Sequence, residues 1–65
     1  DDEIKVKKMY QAIHQLNDVD KALIMMYLDD KDYSEISRIL GITEGNARVK
    51  MNRARNKLKQ LIKNR

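Results

Sequence analysis

Apolar residues recur along this chain at intervals of three and four, and the strict alternation that makes a strand is missing. Ile4, Met9, Ala12, Ile13 and Leu16 fall mostly on one stripe of a helix over about residues 3–16, with Lys5, Lys8 and Gln11 outside it. A second helix is predicted over 18–29. Its segment ALIMMYL, Ala22 to Leu28, is apolar on nearly all sides, the pattern of a central helix covered by several neighbours. A short third helix over 33–40 turns Ile36, Ile39 and Leu40 inward, with Tyr33 at its edge. The fourth runs over 44–63. With Ala47 at zero and about 100° per residue, Met51, Ala54, Leu58, Leu61 and Ile62 all lie within about 60° of it, which makes them the core stripe.

The residues between these segments fit the same division. Asn17 is a cap for the second helix, with Asp20 three residues on as an acidic capping-box partner. Asp29 to Asp32, DDKD, form a polar connection, and Asp32 caps the third helix with Glu35 at the capping-box position. Gly41 stands where a helix end commonly needs positive φ. Ile42 plugs the corner and Thr43 caps the fourth helix. Three residues, Gly41-Ile42-Thr43, thus separate the last two helices, the length of the turn in a helix-turn-helix. The expected fold is all-α, a four-helix bundle-like domain containing a helix-turn-helix, with one face of the fourth helix left free.

Composition narrows the class. Sixty-five residues make one small domain, expected to span 1–65, with a core too limited for a large sheet. Without cysteine there is no disulfide or thiolate metal site. No apolar run approaches the ~20 residues of a membrane span, and no signal peptide is visible. The expectation is a cytoplasmic protein without membrane contact. The chain does not begin with Met and reads as the C-terminal piece of something longer.

Charge changes the picture more. In residues 1–32, five lysines against eight acids leave −3; in residues 33–65, nine basic residues against Glu35 and Glu44 leave +7. A basic half of this kind points to a polyanion. The outward side of the fourth helix collects Gly45, Arg48, Val49, Asn52, Arg53, Asn56, Lys59 and Gln60. Mixed Arg and Asn suit base edges, Arg with guanine and Asn with adenine, and Val49 suits a thymine methyl. Lys50, Arg53, Arg55 and Lys57 lie on the flanks, where phosphates are met. The helix start, with free N–H groups near 44–46 and no side chain at Gly45, favours an anion. Glu44 suits the dipole but repels a phosphate.

Other chemistry is poorly supplied. His14 is the single histidine and has no partner in sequence for metal binding or catalysis. The DDKD acids lack the glycine and terminal glutamate of a calcium loop. Ser34, Ser37 and Thr43 have no activating partner. No enzyme activity, cofactor, metal or small-molecule ligand is expected.

Residues 10–62 together resemble region 4 of bacterial sigma factors of the extracytoplasmic-function type. The resemblance rests on Tyr33, Glu35-Ile36-Ser37, Leu40-Gly41-Ile42-Thr43, Gly45-Asn46-Ala47-Arg48 and Arg53-Ala54-Arg55-Asn56-Lys57-Leu58 at matching spacing. Asn17 replaces a usual proline, Ser37 an alanine, Asn46-Ala47 a Thr-Val pair and Val49 a polar residue. These departures bear on base preference more than on fold. The resemblance implies a four-helix domain that binds the minus-35 element of double-stranded promoter DNA and docks on the β flap of RNA polymerase core. It implies base contacts from Arg48, Val49 and Asn52. Phosphate contacts would come from Thr43, Asn46 and Arg53, joined by Arg38, Lys50 and Lys57. The acidic N-terminal half would face polymerase, or an anti-sigma factor. Two other readings stay open: the helix-turn-helix output domain of a response-regulator-type activator, and a helical protein-interaction module with an incidental basic face.

Overall fold

Three of the four helices start on the polar side chain placed to cap them. In the computed structural model, which describes residues 2–63 (side chains from residue 3), α1 spans Asp2–His14, α2 Asp18–Leu28, α3 Tyr33–Leu40 and α4 Glu44–Lys63. Asn17 Oδ1 accepts from the Asp20 N–H at 2.8 Å, Asp32 Oδ1 from the Glu35 N–H at 2.9 Å, and Thr43 Oγ1 from the Asn46 N–H at 3.1 Å. Each bond satisfies one of the backbone donors left free at a helix start. The reciprocal half of the expected capping boxes is not used. The Asp20 carboxylate turns to Lys57 at 2.9 Å and Glu35 to Lys31 at 3.7 Å, because a cation is within reach and a second backbone donor offers less charge.

The helix ends correct two boundaries. α1 stops at His14 rather than 16: the Gln15 N–H bonds to the Ala12 carbonyl at 3.0 Å and the Leu16 N–H to Ile13 at 3.1 Å. This tightened turn swings Leu16 back into the core, where it is buried. α2 closes on a left-handed residue, Asp30 with φ 58°. The Asp30 N–H bonds to the Tyr27 carbonyl and the Lys31 N–H to Met26, both at 3.1 Å, the paired closure in which glycine is usual. At the end of α3, Gly41 takes φ 69° as expected, and the Ile42 N–H reaches back to the Ser37 carbonyl at 3.0 Å.

The core gathers Ile13, Leu16, Leu23, Ile24, Met26 and Ile36 around Ala47, Met51 and Ala54 of α4, with Ile42 and Leu40 packed against it. α4 contacts α1, α2 and α3, so it is the central helix. The position expected of α2 belongs to α4. Although α2 buries Leu23, Ile24 and Met26, it leaves Met25, Tyr27 and Leu28 more than 40% exposed.

Three further inward residues lie at the surface. Ile4 precedes the part of α1 that meets its neighbours and is 54% exposed. In α3, Tyr33, Ile36, Ser37 and Leu40 cluster within about 50° of one direction, and Ile39 lies about 110° from it; Ile39 is exposed and Ser37 buried. The Ser37 hydroxyl remains satisfied, donating to the Ser34 carbonyl at 2.9 Å. Ile62 is exposed because the end of the 20-residue α4 outruns its partners, leaving Leu58 and Leu61 half-buried. Among the described residues no helix is long and apolar enough to cross a membrane.

The two left-handed helix ends carry opposite expectations. A Cβ at Gly41 would meet nothing within 4 Å, so Gly41→Ala carries only the backbone penalty. That penalty is about 1 kcal/mol. Asp30→Gly relieves the same penalty and is expected to stabilise by up to about 1 kcal/mol. Urea unfolding followed by helical circular dichroism measures both. Equal midpoints for parent and Gly41→Ala would refute the account of this turn.

Candidate nucleic-acid interface

The turn at Gly41-Ile42-Thr43 presents α4 with its Ala47, Met51 and Ala54 stripe inward, Leu58 and Leu61 packed beside it, and the opposite side outward. At the start of the helix, the Asn46 N–H is taken by Thr43 Oγ1 and the Ala47 N–H by the Thr43 carbonyl. The N–H groups of Glu44 and Gly45 have no acceptor among the described residues. The Thr43 hydroxyl, used as an acceptor, keeps its own hydrogen for a ligand such as a phosphate oxygen.

Down the middle of the outward face run Gly45, Val49, Asn52 and Asn56, all exposed. Val49 is 47% exposed, a half-open apolar spot flanked by polar groups. Cations line both edges, and the structure treats the two edges differently. On one, Arg48 and Arg55 sit seven residues apart, which is two turns. The Arg48 Cζ lies 4.6 Å over the Tyr33 ring of α3, and the Arg55 Cζ lies 4.8 Å over the Tyr27 ring of α2. A guanidinium over an aromatic face is attracted by the negative face of the ring and keeps its N–H rim available.

On the other edge, Lys50, Arg53 and Lys57 form one wall of an open cleft. The opposite wall is the beginning of α2: Asn17, Asp18, Val19 and Asp20. Lys57 Nζ holds Asp20 Oδ2 at 2.9 Å, and Asp20 is nearly buried at 8% exposure. Asp20 lies in the first turn of α2, where a negative charge also suits the helix dipole. Lys57, expected on the phosphate flank, therefore has a carboxylate partner of its own. Lys50 and Arg53 are exposed and have no ion pair among the described residues. Arg38 stands elsewhere: it lines a shallow hollow with Glu35 and Ile39 of α3, without a residue of α4.

Of the predicted site residues, α4 therefore brings Arg48, Val49, Asn52, Asn46, Lys50, Arg53 and Lys57 to one helix, with Thr43 at its head. Reading the sequence missed Tyr27, Tyr33 and Asp20 as partners of its cations. The equal phase of Arg48 and Arg55 was visible, but nothing local says which rings meet them. His14 is exposed, and among the described residues no three His, Cys, Asp or Glu side chains gather as a metal site.

The family model described as "Sigma-70, region 4" matches residues 7–58. That stretch contains α2, α3, the turn and α4 as far as Leu58. Neither the curated proteins nor the solved structures compared with the chain give a match.

The cross-helix pair is open to a direct measurement. Lys57→Met leaves the nearly buried Asp20 carboxylate without its cation. Because the Lys57 side chain is itself 57% exposed, solvent screening limits the cost. The expected loss is about 1 kcal/mol or less. A double-mutant cycle with Asp20→Asn, read by thermal unfolding, should return a favourable coupling; additive effects would show that the contact contributes nothing.

Proposed function

The chain belongs to the sigma-70 region 4 family, and on that premise we propose that it reads the minus-35 element of promoters through the outward face of α4. The family comprises promoter-binding domains of sigma factors, which act with RNA polymerase. The finer reading rests on one observation. A strip of small and polar residues, Gly45, Val49, Asn52 and Asn56, runs between two cationic edges on a helix delivered by a three-residue turn. A strip of that width and chemistry suits the major groove, with the edges toward the two phosphate backbones.

In this reading Arg48, Val49 and Asn52 meet base edges. Thr43, Asn46, Lys50 and Arg53 meet phosphates, supplemented by Arg38 and by Lys57, whose charge is shared with Asp20. The role is that of a binding domain without catalysis, in a cytoplasmic factor of the extracytoplasmic-function type. A second surface, away from the residues of α4, supports a protein partner. Tyr10, Met25, Met26 and Leu28 line an open apolar groove with Asp29 and Lys31 at its rim. We place the β flap of polymerase there, with an anti-sigma factor as a competitor for the same side.

Titration against duplex DNA over a range of salt tests the DNA reading. Each phosphate contact contributes about −0.9 to the slope of log affinity against log salt, so several contacts give a steep line and a flat response ends the proposal. Arg48→Ala is expected to cost about 1–3 kcal/mol on the preferred site and to relax preference at one position. Arg53→Ala should weaken all sequences alike and reduce the slope by about one unit. Equal losses on every sequence for Arg48→Ala would remove it from the base readers.

A further inference from the structure

Tyr33, at the head of α3, packs against the core and also carries on its ring the cation proposed to read a base. Arg48 is exposed and has four side-chain torsions to fix before it can make a two-pronged contact. Its contact with the Tyr33 ring, at 4.6 Å, is the single partner found for its guanidinium among the described residues. The ring itself is well anchored. Tyr33 is half-buried against the core cluster, and it opens a helix whose start is capped by Asp32. A tyrosine has two side-chain torsions to restrain, so a ring held this way is a rigid surface. A guanidinium resting over it keeps its rim of N–H donors unpaired and directed off the ring, the state that bidentate recognition of guanine requires.

The other members of the cluster sharpen the point. Arg55 makes the same kind of contact with Tyr27, but it is half-buried, whereas Arg48 is exposed. Arg53, assigned to a phosphate, has no ring beneath it among the described residues, and a phosphate contact tolerates a mobile cation. Of the two stacked arginines, the exposed one is the one proposed to read sequence. Burial of the inward side of α3 is meanwhile supplied by Ile36, Ser37 and Leu40.

We propose that Tyr33 is a positioning residue for sequence recognition, acting through Arg48: its ring holds the guanidinium in the orientation that meets the base. The inference rests on the base-reading role of Arg48, and it adds that this role depends on the ring face. Preorganisation strengthens binding by removing the cost of ordering a side chain on contact. A cation–ring contact at an exposed site corresponds to roughly a two- to five-fold effect on an equilibrium.

The test uses this 65-residue chain, a duplex selected from a randomised library, and single-position variants of that duplex. Discrimination at the position controlled by Arg48 is the readout, with the salt slope as the control. Tyr33→Phe should keep discrimination. Tyr33→Leu, and Tyr33→pentafluorophenylalanine, which keeps the shape but reverses the charge of the ring face, should each reduce it about two- to five-fold with an unchanged salt slope. In an Arg48→Ala background neither should have any further effect on discrimination. If Arg48→Ala relaxes preference but the pentafluoro variant discriminates like the parent, the inference about Tyr33 fails and the base-reading role stands. If Arg48→Ala leaves preference untouched, the base-reading role fails and the inference with it. Should Tyr33→Leu not fold by circular dichroism, the Phe and pentafluoro pair decides alone.

Discussion

Everything in this domain depends on how α4 divides its circumference. A single helix has to bury one stripe against three others while leaving the opposite side open. Ala47, Met51 and Ala54 do this by occupying successive turns at complete burial. The two alanines let neighbouring helices approach closely, and Met51, long and unbranched, fills the space between them. The committed arc is narrow, so the strip carrying Val49 and Asn52 stays outside. A larger side chain at 47 or 54 would push the neighbours apart and alter the presentation of that strip, even though it would never touch a ligand. The turn at Gly41 supports the same arrangement by reversing the chain in three residues and bringing Ile42 against the core.

The second organising feature is the use of charge. Counted along the sequence, the C-terminal half has a net charge of +7. In three dimensions part of that charge is committed to the body of the protein. Arg48 and Arg55 rest on tyrosines, and Lys57 holds Asp20. These contacts join α4 to both α3 and α2, so its cations also serve as cross-helix ties. Their positions differ in freedom: the arginines keep donors at their rims, whereas Lys57 shares a point charge with a nearly buried carboxylate. Lys50 and Arg53 are left as exposed cations with no ion pair among the described residues, on the edge facing the start of α2. One edge of the outward face thus carries exposed cations, and the other carries arginines held on aromatic rings.

Much of this was legible in the residues. The three caps, the glycine turn, the four helices and the inward stripe of α4 follow from relationships over three or four positions, which fix backbone bonding and phase. So do the candidate base readers, because Arg48, Val49 and Asn52 are outward on any helix that turns Ala47 and Met51 inward. The mistakes have a common origin. Ile4 and Ile39 are apolar, which by itself points them inward, but short or terminal segments have fewer neighbours to cover them. The apolar segment of α2 suggested a centre, yet centrality depends on which helix is long enough, and slim enough, to touch the other three.

What the sequence determined by itself was therefore local: which residues become helix, where each begins, and which sides of α4 are apolar or basic. Only the tertiary structure decided which partners those sides meet: Tyr33 under Arg48, Tyr27 under Arg55 and Asp20 against Lys57. The reason is distance along the chain. Lys57 and Asp20 are separated by 37 residues. Periodicity and capping act across a single helical turn, so they carry no information about such pairs, which form when whole helices dock and bring distant side chains within a few ångströms.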